Sequence, residues 1–192
     1  MKKSLLIIAG IVAFLTSTVS AQFQYKHAEA FEKGITLIDV QTSLGMYRDK
    51  NFVTQRPPVF IGVDYGISND FSGGVFGGWN QRTYKDAFYP AYDVNYFYYG
   101  GRLSLHMTEF LRNKTPLKFN PHKVDIYGTV WAGRQVSRQT TFVGTGFLDS
   151  GTTTIVGAYL GAKVYTNYPI GFLVEAGMGP YGLLNIGVCG KF

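Results

Sequence analysis

Residues 183–192 read LLNIGVCGKF, and the printed chain stops there. At period two, Leu184, Ile186, Val188 and Phe192 share one face with Gly190, while Leu183, Asn185, Gly187, Cys189 and Lys191 share the other. Side chains of a strand alternate between its faces, so this is a strand with one apolar side and one small-or-polar side. Terminal residues usually fray. A strand that runs in register to a final aromatic residue is expected to stay paired to its end, and seven further segments show what it pairs with.

Those segments have the same two-faced pattern. Ile38, Val40, Leu44 and Met46 oppose Asp39, Gln41, Ser43 and Gly45 in 34–47, and Val59, Ile61, Val63, Tyr65 and Ile67 oppose Phe60, Gly62, Asp64, Gly66 and Ser68 in 58–68. Segment 71–84 is glycine-rich, which blurs its faces. In 92–107, Phe97, Tyr99, Leu103, Leu105 and Met107 oppose Tyr98, Gly100, Arg102, Ser104 and His106. Segments 123–135, 153–165 and 168–178 continue the alternation, with Asp125, Lys163 and Glu175 on their polar faces. No stretch of useful length has a helical period, and no linker divides the chain.

The start of the chain adds a constraint. Residues 1–21 carry Lys2 and Lys3, an apolar run from Leu5 to Leu15, and small residues with Val19 and Ala21 at the −3 and −1 positions of a cleavage site. This is the layout of a secretory signal peptide, which leaves 22–192 as one domain. Without the two leader lysines, 16 basic side chains face 12 acidic ones. That mild, scattered excess gives no reason to expect nucleic acid. The lone Cys189 cannot close an internal disulfide, so the exported chain must be held together in another way. With 24 Gly, 14 Tyr and 15 Phe, the composition suits strands with one oily and one wet face.

Connections alternate in length. Long ones (RDKNFVTQRPP, NQRTYKDAFYPA, VSRQTTFVGTGFLDSGT) fall at one end and short ones (SND, TNY) at the other, as in transmembrane barrels with their long loops outside the cell. The connection TEFLRNKTPLKFNPH, on the short-turn side, departs from that rule and is expected to hold a short surface helix or an ordered turn. The short GPYG on the long-loop side is a second departure. A soluble barrel would turn its apolar faces inward. The leader, the loop pattern and the aromatic residues near strand ends favour apolar faces outward, in lipid, where every backbone group must be paired and no edge can remain open. The fold expected is an all-β, eight-stranded antiparallel up-and-down transmembrane barrel, closed by pairing strand eight with strand one.

The last third, LGAKVYTNYPIGFLVEAGMGPYGLLNIGVCGKF (160–192), resembles the C-terminal hairpins of small bacterial outer-membrane β-barrel proteins, the porin-like family that includes the OmpA membrane domain, OmpX and OmpW. Gly161, Ala162, Lys163, Glu175, Gly177, Lys191 and Phe192 carry the likeness. The resemblance implies an outer-membrane location and makes Phe192 part of the signal read by the outer-membrane assembly machinery. It says little about function, since one fold hosts several roles.

Eight strands enclose a lumen just wide enough for side chains to fill. Asp64, Arg102, Asp125, Lys163 and Glu175 are expected to point inward and form a polar network that plugs it, because buried charges must be paired. Lining a narrow polar path for small solutes is the alternative. Ser104 and His106 share a face with Glu109 nearby, but they lie at the wrong end for outer-leaflet lipid chemistry, so a satisfied lumen histidine is expected rather than a catalytic one. His27 and His122 lack ligand-spaced neighbours, so neither metal nor cofactor is expected, and Cys189 reads as a small inward side chain. Arg48, Lys50, Arg56, Arg82, Lys85 and Arg138 are placed in the exposed loops, where they could meet lipopolysaccharide phosphates or an acidic partner. The functional expectation is a monomeric, non-enzymatic barrel acting through structure or surface contacts in outer-membrane lipid. A narrow transport channel is the alternative.

Overall fold

The computed structural model describes residues 29–44, 52–84, 91–114, 120–139, 151–179 and 182–192, except for the side chains of 52–55 and 139. Eight strands follow in order: β1 (Thr36–Leu44), β2 (Phe52–Gly66), β3 (Phe71–Tyr84), β4 (Tyr92–His106), β5 (Val124–Gln139), β6 (Thr152–Tyr165), β7 (Ile170–Met178) and β8 (Leu184–Lys191). A short helix, α1 (Thr108–Lys114), follows β4, in the connection where the sequence led us to expect one. Each strand pairs antiparallel with the next, and β8 pairs with β1, closing a barrel.

Closure continues to the last residue. The Thr36 amide donates to the Phe192 carbonyl at 2.8 Å, and the Phe192 amide donates back to the Thr36 carbonyl at 2.9 Å. On the other flank the Lys191 amide donates to the Pro169 carbonyl at 2.9 Å. The register also sets the tilt. From Asp39, ladder partners lead through Gly62, Phe76, Gly100 and Gly133 to Ile155 on β6. In the other direction they lead through Cys189 and Gly171 to Tyr165, ten residues further along the same strand. That offset is the shear that closure requires, and it tilts the strands by roughly 35–45°.

The barrel has its polar side in and its apolar side out. Outward Val75, Val156, Leu160, Phe172 and Met178 are 63–73% exposed, whereas inward Glu175 and Asp125 are at 1% and 0%. A belt of this kind running round the whole wall is far larger than the apolar patches water-soluble monomers tolerate, and it is the surface that hydrocarbon requires. The chain is therefore a transmembrane β-barrel. The glycine-blurred β3 resolves in the same way, with Phe71 and Val75 outward and Ser72, Phe76 and Asn80 inward.

Two tight turns at one end, hereafter the turn end, share a device. In 67–70, Ser68 Oγ accepts from the Phe71 amide at 3.1 Å; in 166–169, Thr166 Oγ1 accepts from the Tyr168 amide at 3.1 Å. Hydroxyl side chains imitate a backbone turn in this way. At the opposite, loop end, β2 to β6 run beyond β1, β7 and β8. The alternation begins the second strand at 58 and leaves 52–57 in the connection, yet β2 starts at Phe52 and includes both Pro57 and Pro58. Its ladder with β3 slips between Thr54 and Arg56 and again between Arg56 and Val59, and its ladder with β1 stops at Val59. Prolines are tolerated where a bulge or a finished neighbour leaves no amide to satisfy.

Because no edge can be peeled from a closed barrel, the refolded protein should migrate faster unboiled than boiled on a denaturing gel. Deleting Phe192 removes the terminal exchange of bonds with Thr36 and should lower the temperature at which the fast band disappears. Equal mobility of boiled and unboiled wild type would refute closure.

Candidate functional site

The lumen is the first candidate, and three tiers of side chains fill it. The middle tier centres on Arg102 of β4, which is 5% exposed. Its Nε donates to Asp64 Oδ1 at 2.6 Å and its terminal nitrogens donate to the Asp39 carboxylate, Nη1 to Oδ1 at 3.3 Å. Gln41 Nε2 donates to Asp39 Oδ1 at 2.7 Å. Gly62 makes this possible: a Cβ there would overlap the guanidinium. Across the lumen, Glu175 accepts from Tyr127 Oη at 2.7 Å and from Asn185 Nδ2 at 3.2 Å. Lys163 Nζ lies 4.5 Å from the centroid of the Tyr127 ring.

Above, toward the loop end, Phe60, Phe76, Tyr98, Trp131, Ile155 and Tyr159 form an aromatic tier. Phe76 and Trp131 have ring centroids 4.7 Å apart, and Trp131 and Tyr159 5.7 Å. Gly78 leaves the space that the Phe60 ring occupies. Below, the segment preceding β1 folds into the turn end. Ala30 packs with Tyr165, Leu173 and Cys189, and its amide donates to the Pro121 carbonyl at 2.8 Å. Lys191 Nζ donates to the Glu29 carbonyl at 2.9 Å. Gly34 turns the segment into β1 with a φ of 86°, a region where a side chain would be strained.

Phe31 of that segment stacks on His106 at 3.4 Å, with the planes 4° apart. Beneath it, His106 Nε2 is 2.9 Å from Ser72 Oγ and Nδ1 is 2.9 Å from Asp125 Oδ2. The order is that of a nucleophile, a base and an orienting acid. Its surroundings are different. Ser72 is 1% exposed, Phe31 covers the imidazole, and the backbone of Ser72 lies between β2 and β4, paired with Gly66 and Ser104. The stack of Phe31 on His106 holds the entering segment in the mouth.

Asp64, Arg102, Asp125, Lys163 and Glu175 are thus all inward and buried, but they do not form one network. Arg102 and Asp64 share a cluster with Asp39, Asp125 belongs to His106, Glu175 belongs to Tyr127 and Asn185, and no carboxylate lies within 4 Å of Lys163 among the described residues. Ser104 is not the partner of His106; it donates to Thr129 Oγ1 at 3.0 Å. The sequence put Asp39 on the polar face but did not show that it completes the Arg102 cluster, because that depends on how β1, β2 and β4 meet across the lumen.

The second candidate is the outer rim at the loop end. Arg48, Lys50 and Lys85 lie outside the described residues, as does His27. Arg56, Arg82 and Arg138 were expected in loops but stand on β2, β3 and β5, since those strands run on past the belt. Arg82 is half-buried and turns toward Tyr96, its guanidinium 5.3 Å from the ring, which leaves it badly placed for outside contacts. On the outward face of β5, Ile126, Val130 and Ala132 give way to Arg134 and then Arg138. Arg134 has Tyr99 and Thr154 as its ladder partners, and Arg138 has Asn95. Nearby, the Arg56 guanidinium lies 5.8 Å from the Trp79 ring, and Trp79 Nε1 donates to Asn95 Oδ1 at 3.2 Å. Aromatic and cationic side chains thus meet where the apolar belt ends. The sequence did not single out Arg134, although its parity with Val130 and Ala132 was visible.

No family model matches the chain, and a search of characterised proteins finds no match. Among solved structures, it is similar to the N-terminal β-barrel domain of Pseudomonas aeruginosa OprF at 12% identity, over 83% of this chain and 98% of that one, with a TM-score of 0.49. A structure from the de novo design of transmembrane β-barrels shares 19% identity over 86% of this chain and 100% of that one, with a TM-score of 0.42. Ail, the attachment invasion locus protein of Yersinia pestis, solved with the heparin analogue sucrose octasulfate, shares 16% identity over 83% and 99%, with a TM-score of 0.41. No site residue is carried over from any of them.

Removing Arg102 should leave Asp39 and Asp64 buried and uncompensated. Arg102→Ala should therefore cost about 3–5 kcal/mol in urea unfolding of the detergent-refolded barrel, and adding Asp39→Asn should recover part of it. Tyr127→Phe removes one hydrogen bond to a buried carboxylate and should cost less, about 1–3 kcal/mol. A neutral Arg102→Ala would mean that the cluster does not hold the lumen.

Proposed function

We propose that the protein is a non-conducting barrel of the bacterial outer membrane that acts in the architecture of the envelope and through contacts at its surface, without catalysis. The observation that carries this reading is the filling of the lumen. An aromatic tier, a charged tier and the entering segment 29–35 succeed one another along the axis, which leaves the outer surface as the place to act. Four buried carboxylates (Asp39, Asp64, Asp125, Glu175) face three buried cations (Arg102, Lys163, Lys191) and His106, a near balance that suits a packed plug better than an ion path selective for one sign. Residues 1–21 fit this reading as the export leader and Phe192 as part of the recognition signal for assembly.

The surface partner we propose is lipopolysaccharide. Arg134 and Arg138 stand where the belt ends, four residues apart on one face, at the depth where phosphates of an outer leaflet would lie. Thr154 and Tyr99, next to Arg134 in the ladder, add hydroxyl donors to the guanidinium. A planar guanidinium suits phosphate because it donates two parallel hydrogen bonds.

In planar bilayers the purified protein should give no conductance steps, and steady openings would sink the plugged reading in favour of a narrow channel. Added lipopolysaccharide should raise the temperature at which the compact gel band is lost. At about 1 kcal/mol per cation near an anionic surface, Arg134→Gln with Arg138→Gln should weaken that binding roughly thirtyfold. An unchanged affinity in the double variant would remove these arginines from the site.

A further inference from the structure

Helix α1 is seven residues long, TEFLRNK, and a helix that short is marginal in water. Its first turn is tied to the barrel: the Met107 amide donates to the Ile126 carbonyl at 2.7 Å, and Thr108 Oγ1 accepts from the Ile126 amide at 2.7 Å. Phe110, one of its two large apolar side chains, is 63% exposed. The neighbouring residues show which way it points. Glu109 and Arg112 border the small cleft at the barrel mouth together with Phe31 and His106. At about 100° per residue, Phe110 and Lys114 then lie on the side turned away from the mouth.

Met107, three residues before Phe110, leads onto the outer wall. Its Cε lies 3.9 Å from where a Cβ on Gly128 would stand, beside Leu160 Cδ2 at 3.5 Å, and Leu160 is part of the lipid-facing belt. Met107, Phe110, Leu111 and Lys114 follow the i, i+3, i+4, i+7 spacing of one helix face. The stripe therefore starts on the hydrocarbon-facing wall and ends in a cation. The aromatic side chains of Tyr65, Phe71, Tyr168 and Phe192 are also exposed at this turn end.

We infer that α1 is an interfacial foot: it lies in the headgroup layer of the phospholipid leaflet on the turn side, with Phe110 in the acyl boundary and Lys114 at the phosphates. Continuity with the belt identifies lipid as the occupant, and Lys114 complements its phosphates. An apolar helix face of this kind sinks roughly 5–10 Å into the boundary, which would also stabilise a helix that water leaves marginal.

The inference rests on the membrane reading of the barrel but not on the lipopolysaccharide site, and its test keeps the two apart. Phe110→Cys and Glu109→Cys are each refolded into phosphatidylcholine–phosphatidylglycerol vesicles and only then labelled with an environment-sensitive fluorophore. Cys189 is buried, so folded wild type takes up no label and serves as the blank. Gel mobility, boiled against unboiled, confirms folding in each sample. Lipids brominated near the headgroup should quench the label at 110 strongly, lipids brominated near the chain end should quench it weakly, and the label at 109 should respond to neither. Phe110→Asp should keep the compact gel band while exposing the bonds after Arg112 and Lys114 to trypsin in vesicles that protect them in wild type. Absence of quenching at 110, equal quenching at 109 and 110, or unchanged protection in Phe110→Asp would overturn the foot.

Discussion

The seam between β1 and β8 is the constraint on which the rest of the structure depends. In hydrocarbon no water can satisfy a free amide or carbonyl, so a sheet survives only without an edge. The Thr36–Phe192 exchange carries pairing to the last residue, and the Lys191–Pro169 bond holds the other flank of the same strand. Closure then fixes the shear, the shear fixes the tilt, and the tilt decides which inward residues of distant strands meet. Arg102 reaches Asp39 because β1 has come round to face β4.

Placing apolar residues outside moves the problem of specificity to the lumen. Oily packing against lipid is forgiving, since acyl chains adapt to any contour. The interior has no such freedom, and each charge needs a partner at a fixed position. This protein meets the need with small local clusters, each centred on one charged or aromatic group: Arg102 between two aspartates, Glu175 between a phenol and an amide, Lys163 on an aromatic face. Glycines on the inner wall make the room. Gly62 under Arg102 and Gly78 beside Phe60 are places where backbone gives way to a neighbouring side chain. In the His106 cluster the imidazole lies between Ser72 and Asp125 with the Phe31 ring stacked over it, so one side chain ties the entering segment to the inner wall.

Much of this was legible beforehand, for a simple reason. Period-two alternation is local, and it separated the two faces of seven of the eight segments without any knowledge of neighbours, while the leader, the loop lengths and the aromatic residues near strand ends indicated which face turns inward. β3 was opaque because glycine has no side chain to report a face. Strand ends at the loop side were misjudged at 52–57 and 136–139, which were left in connections, although a slipped ladder absorbs Pro57 and Pro58 and pairing carries β5 on to Gln139. Residues 29–33 lie outside every alternating segment, so the return of 29–35 into the mouth could not be read from period two.

The sequence by itself determined the strands, their number, their oily and wet faces and the need for closure, because each follows from alternation and from the cost of an unpaired backbone in lipid. Only the tertiary structure decided who meets whom: Asp39 with Arg102, Ser72 rather than Ser104 with His106, Phe31 over the His106 ring, and Arg134 at the edge of the belt. Those meetings depend on shear and on contacts across the lumen between residues tens of positions apart, and a pattern that repeats every two residues carries no information about either.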